Sequence, residues 1–110
     1  TAVVIAEEFA DILLKHHAGS GGPDIEILQG VMDLTLDKDM PDQVKAKLYK
    51  ALGYALQNPE LVPHHVPTDA DRLDFALKSF KAALALHDKI GVKKDIERLE
   101  REIKNLAAAT

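Results

Sequence analysis

Lys47, Lys50, Tyr54 and Gln57 recur at intervals of three and four residues, the spacing that gathers side chains on one side of an α-helix. Two ammonium groups, a phenol and a carboxamide offer hydrogen-bond donors to a carboxylate or a peptide backbone. The tyrosine adds rigid contact area at little entropic cost, so the stripe reads as a groove for a partner peptide with an acidic segment. The histidines suggest a second chemistry. His16-His17 and His64-His65 are adjacent pairs, and several imidazoles could ligate a divalent metal. Neighbours on a helix point ~100° apart, however, and no His-x3-His or HExxH spacing occurs, so no metal is expected. His87 falls late in a predicted helix, where a cation complements the C-terminal dipole. Glu7-Glu8, Asp37 with Asp39, and Asp69 with Asp71 each fall beside a predicted helix end, and none stands out as a catalytic pair. The chain has no cysteine, no G-x-S-x-G elbow, and a Gly19–Gly22 loop without the Lys-Ser/Thr of a phosphate loop. The expectation is a protein that is not an enzyme and carries no cofactor.

These residues need helices to position them. Val4, Ile5, Glu8, Phe9, Ile12 and Leu13 mark the inner stripe of a first helix ending near His17. Gly19-Ser20-Gly21-Gly22-Pro23 breaks it. A second helix starts at Asp24, with Ile25, Leu28, Val31, Met32 and Leu36 inward and Gly30 read as a weak spot rather than a contact. Pro41 suits the first turn of a third helix, which runs to about Asn58. Pro59, Pro63 and Pro67 forbid helix across residues 58–67. Thr68, with Asp71, caps a fourth helix lined by Leu73, Ala76, Leu77, Phe80, Ala83, Leu84 and Leu86, with Gly91 as its C-cap. A fifth helix spans Val92 to about Ala108, with Ile96, Leu99, Ile103 and Leu106 on one side. The expected fold is all-α: about five antiparallel helices in a single domain over residues 1–110. Residues 1–38 form a first hairpin, 41–90 a second with the Pro-rich insertion, and 92–108 a closing helix.

Tyr49, Leu52, Gly53 and Leu56, followed by Ala76, Phe80 and Ala83, resemble the tetratricopeptide (TPR) pattern W-x2-L-G-x2-Y…A-x3-F, in which small residues stand wherever two helices approach closely. The resemblance covers roughly the second half of the chain. Tyr49 replaces the usual Trp, Leu56 the usual Tyr, and Asp88 the Pro at the repeat end. It implies TPR-like hairpins with a C-terminal capping helix, a plain five-helix bundle being the alternative. It also implies a small adaptor or chaperone-like protein that binds a partner peptide. In TPR proteins of the carboxylate-clamp type, Lys and Asn on the inner helices hold an acidic peptide end; Lys50 corresponds to one such lysine, and Tyr54 stands in place of the Asn.

Composition bounds the partners. A chain of 110 residues, 46% apolar, supports one core. No apolar run approaches the ~20 residues of a membrane span. A net charge of −4 without a run of Lys and Arg argues against nucleic acid and anionic membranes. The first residues lack the basic region of a signal peptide, which points to the cytoplasm. The alternative to an adaptor is a structural or homo-oligomeric helical subunit that self-assembles through Ile96, Leu99, Ile103 and Leu106.

Overall fold

The computed structural model describes residues 2–16, 25–57 and 69–108, and these form five α-helices without a strand among the described residues. They are α1 (Ala2–His16), α2 (Ile25–Leu34), α3 (Asp42–Ala55), α4 (Asp69–Leu86) and α5 (Lys93–Ala108). The all-α expectation holds. The Pro-rich segment, His17, His64, His65, the Gly19–Gly22 loop, Asp24 and the Thr68 cap lie outside the described residues.

α3 is the hub. It starts after Pro41, whose extended backbone (φ −60°, ψ 148°) leads into an acidic first turn at Asp42, where the carboxylate complements the helix dipole. The Pro41 carbonyl then accepts the Lys45 N–H at 2.9 Å. Its buried residues Ala46, Leu48, Ala51, Leu52, Gly53 and Ala55 are mostly small, which lets helices approach from several directions. α1, α2 and α4 all pack against α3; α1 also packs on α2, and α5 packs on α4.

Two contacts of one kind set the helix spacing. A Cβ built on Gly53 would lie 2.5 Å from Cε1 of Phe80, and one built on Gly30 would lie 2.9 Å from Cε2 of Phe9. In each hairpin a phenyl ring therefore occupies the space that any larger residue would need. Gly30 is a close helix contact and not a weak spot: the ring of Phe9 crosses α2 there, a tertiary fact that the periodicity of α2 alone does not contain. Phe80, Ala76 and Ala83 are fully buried on the face of α4 turned to the core, and Tyr49 packs against its edge.

The inner face of α1 is rotated from its expected position. Ala6, Ala10 and Leu13 are buried, with Val3, Phe9 and Leu14 packed beside them, whereas Val4 and Ile5 are 52% and 46% exposed and Glu8 faces solvent. Close approach favours the alanines at the interface, and a reading that weights large apolar residues misses them. α2 ends at Leu34, and Leu36 stands exposed on the following turn, held by Leu36 N–H to Asp33 O and Asp37 N–H to Leu34 O. Met32 is exposed as well, while Met40 from the turn is buried.

α4 likewise ends before its expected cap. The His87 N–H closes on Ala83 O, a separate turn bonds Ile90 N–H to His87 O, and Gly91 (φ +85°) redirects the chain into α5. Gly91 is thus the entry to α5 and does not cap α4 directly; the left-handed conformation is one that glycine adopts without steric penalty. Ile96 and Leu99 of the expected self-assembly stripe are buried within the chain, Ile103 packs against the same core, and only the end opens, Leu106 being 37% exposed. That stripe is part of the chain's own core.

Phe80→Ala should destabilise the protein by about 3–5 kcal/mol in denaturant unfolding. Gly53→Ala should cost about 1–3 kcal/mol despite alanine's better helix propensity, because the added methyl meets the ring. Phe80→Leu in the Gly53→Ala background should recover part of that loss. A stabilising Gly53→Ala would show that the ring does not sit there.

Candidate functional site

Lys47, Lys50 and Tyr54 on α3 and Gln57 just beyond it do not line one open groove. Lys47 turns toward α1, where its Nζ lies 2.9 Å from Oδ1 of Asp11. The other three turn toward the α4–α5 connection and α5. Lys50 Nζ donates to the Ile90 carbonyl at 3.2 Å, and the Tyr54 hydroxyl donates to Oδ2 of Asp95 at 2.9 Å. Gln57 donates from Nε2 to the Gly53 carbonyl at 3.0 Å and accepts from Nη2 of Arg98 at 2.8 Å. The donors do bind a backbone carbonyl and a carboxylate, the groups their chemistry suits, but both belong to the same chain.

A network ties the end of α3 to α4 and α5. Arg98 lies between Asp95 (3.6 Å) and Glu102 (3.2 Å), spacings of three and four residues along α5. Arg72 of α4 donates from Nη1 to the carbonyls of Leu56 (3.4 Å) and Gln57, so a guanidinium meets the exposed carbonyl end of α3. The Tyr54 ring stands edge-on to Phe80, with centroids 5.1 Å apart and planes at 78°. This links the polar network directly to the ring that seats on Gly53.

The environment of Tyr54 moves its proton equilibrium. Burial, followed by the hydrogen bond to Asp95 and that carboxylate's negative charge, raises the phenol from its usual 10.0 to about 12, against a smaller lowering by Arg98. Asp95, Arg98 and Arg72 were not singled out from the sequence. The spacing of Asp95, Arg98 and Glu102 was a visible signal of an ion-paired helix face, but not of its partners on α3.

The remaining groups place themselves simply. Asp37 accepts the Asp39 N–H at 2.9 Å, an Asx-type bond that shapes the turn before α3. His87 is half-buried just past the end of α4. Among the described residues no group of three or more His, Asp or Glu is placed to hold a metal ion. No described helix is long and apolar enough to cross a membrane.

Lys89, Lys93 and Lys94, which the sequence reading passed over, stand exposed on the α4–α5 turn and the first turn of α5. The bond from Lys50 to Ile90 adds a fourth ammonium from α3 to the same end of the molecule. Charge is divided unevenly along the chain: residues 1–42 hold nine acidic and two basic residues, and residues 43–110 hold nine acidic and twelve basic.

No protein-family model matches the chain. No solved structure matches it. Over 101 residues, 92% of the chain, the sequence is 37% identical to the terminase endonuclease subunit of Escherichia phage P2, and the chain spans 36% of that protein's length. This similarity overturns the expectation of a TPR-like adaptor built for protein–protein interaction, and with it the exclusion of nucleic acid. The exclusion rested on a net charge that averages an acidic and a basic portion. The relative is by its name part of an enzyme, where the residues here led to the expectation of none.

If burial and Asp95 hold the Tyr54 proton, the folded state keeps it to higher pH than the unfolded chain. The contribution to stability is then complete below about pH 10 and declines as pH rises toward 12. In a Tyr49→Phe background, phenolate absorbance should appear with a midpoint near 12 and shift downward in Asp95→Asn. An unshifted midpoint in Asp95→Asn would remove Asp95 as a cause.

Proposed function

We propose that this chain is the helical structural unit of a terminase-type endonuclease subunit and takes part in handling the DNA on which such a subunit acts. The observation that carries the reading is the 37% identity to the phage P2 protein over nearly the whole chain. An alignment over 92% of the chain takes in the core helices and the polar seam together, as expected for a shared folded unit rather than a shared short motif. The geometry supports a structural part within that subunit. The polar side chains of Lys50, Tyr54, Gln57, Arg72, Asp95 and Arg98 are committed to bonds that join the end of α3 to α4, α5 and the turn between them. The phage origin of the relative supports a site of work inside the host cell.

The test is a chimaera in which these residues replace the matching stretch of the phage P2 subunit. It should fold, by circular dichroism, and cleave duplex DNA within about tenfold of the parent, a difference of about 1.4 kcal/mol in the barrier. A folded chimaera that binds and cuts no DNA would overturn the reading. The isolated chain with Mg2+ should leave duplex DNA uncut; cleavage by the chain alone would move it from a structural to a catalytic part.

A further inference from the structure

The reading above leaves open which surface meets the nucleic acid. We propose that the end of the molecule formed by Lys50, Lys89, Lys93 and Lys94 is a sequence-independent contact for the phosphate backbone of duplex DNA; the proposal rests on the terminase-type reading.

The arrangement comes from three separate segments. Gly91, in the left-handed conformation, turns the chain between Lys89 and the pair Lys93-Lys94. Lys50 arrives from α3, and its hydrogen bond to the Ile90 carbonyl fixes that ammonium at the turn while using one of its three donors. α5 begins at Lys93, so the partial positive charge of its N-terminus adds to the side-chain charge at the same place.

Three carboxylates stand at this end, and one of them is paired. Asp88 stands exposed in the turn, and the Asp95 carboxylate accepts from Tyr54 and lies 3.6 Å from Arg98. Glu97 follows one turn along α5 and is exposed. Four ammonium groups stand against the carboxylates of Asp88, Asp95 and Glu97, and Asp95 is also paired with Arg98, so this turn keeps a net positive charge in a chain whose net charge is −4.

The chemistry favours phosphates over other anions. Lysine ammoniums on mobile stems are point charges that follow a phosphate backbone without base-specific geometry. Duplex DNA presents about one charge per 1.7 Å of axis, so a patch of several lysines engages several phosphates in any register. Each neutralised phosphate releases counterions, which makes the contact strongly dependent on salt.

The test measures binding of a fluorescently labelled duplex to the full chain by anisotropy over a range of salt concentrations. Lys89→Glu/Lys93→Glu/Lys94→Glu should weaken binding at low salt by at least about tenfold and reduce the slope of log affinity against log salt by about 2–3. Lys78→Glu/Lys81→Glu/Lys104→Glu makes the same change in net charge on α4 and the far part of α5, and should retain most of the affinity. Both variants are checked for native helicity and unfolding midpoint. Equal weakening in the two would show that binding follows net charge and overturn the assignment. Tighter binding of wild type to polyglutamate or to phosphatidylserine vesicles than to duplex would replace DNA by an acidic protein or a membrane. A chimaera that cuts DNA while the isolated chain fails to bind duplex would overturn this surface and leave the terminase-type reading in place.

Discussion

The seating of Phe80 on Gly53 is the constraint on which the arrangement of the second half depends. A residue with a Cβ at position 53 would collide with the ring, so α3 and α4 take their spacing from a missing side chain. Glycine inside a helix costs about 1 kcal/mol relative to alanine. Burying a phenylalanine completely offsets that loss, since large aromatic side chains dominate core energetics. The edge of Tyr54 then packs against the same ring, and its hydroxyl reaches Asp95 on α5. One contact thus fixes the position of α4 and, through the tyrosine, the approach of α5. Phe9 on Gly30 repeats the device between α1 and α2, although there the ring is on the first helix of the pair and the glycine on the second.

The polar seam between α3 and α5 follows from this geometry. α3 and α5 are joined by long side chains, Tyr54 to Asp95 and Arg98 to Gln57, while their backbones are both packed against α4. Such a seam sets register more than it adds stability, because half-exposed ion pairs such as Arg98 with Glu102 contribute little individually. Lys50 extends it by fixing the carbonyl of Ile90, which holds the turn that presents Lys89, Lys93 and Lys94. The donors read as a peptide groove therefore build the surface next to them. This links the packing of the core to the end of the molecule that carries positive charge.

The likeness to a terminase endonuclease subunit changes how composition should be weighed. Net charge is a property of the whole chain, whereas recognition depends on where charges meet in space. Here nine of the eighteen acidic residues lie within the first 42 positions, away in sequence from most of the lysines and arginines. An average of −4 hides that division. The TPR resemblance drew on the small residues and the phenylalanine of α3 and α4, and these residues do pack closely; helix pairs of many kinds need the same small-to-large contact, so the pattern does not by itself identify a function.

The helices and their order were determined by the sequence: prolines and glycines mark the breaks, and a period of 3.6 residues marks the elements. The burial of Phe80, Leu99 and Ile96 was legible for the same reason, since local periodicity reports which residues share a face. Tertiary structure alone decided which face of α1 turns inward, where alanines rather than Val4 and Ile5 meet α3, because the permitted spacing depends on the partner helix. It also decided that Gly30 is a contact, that Tyr54 binds Asp95 forty-one positions away, and that Lys50 joins lysines from a distant turn. Those outcomes depend on separations through space, which a one-dimensional period cannot encode.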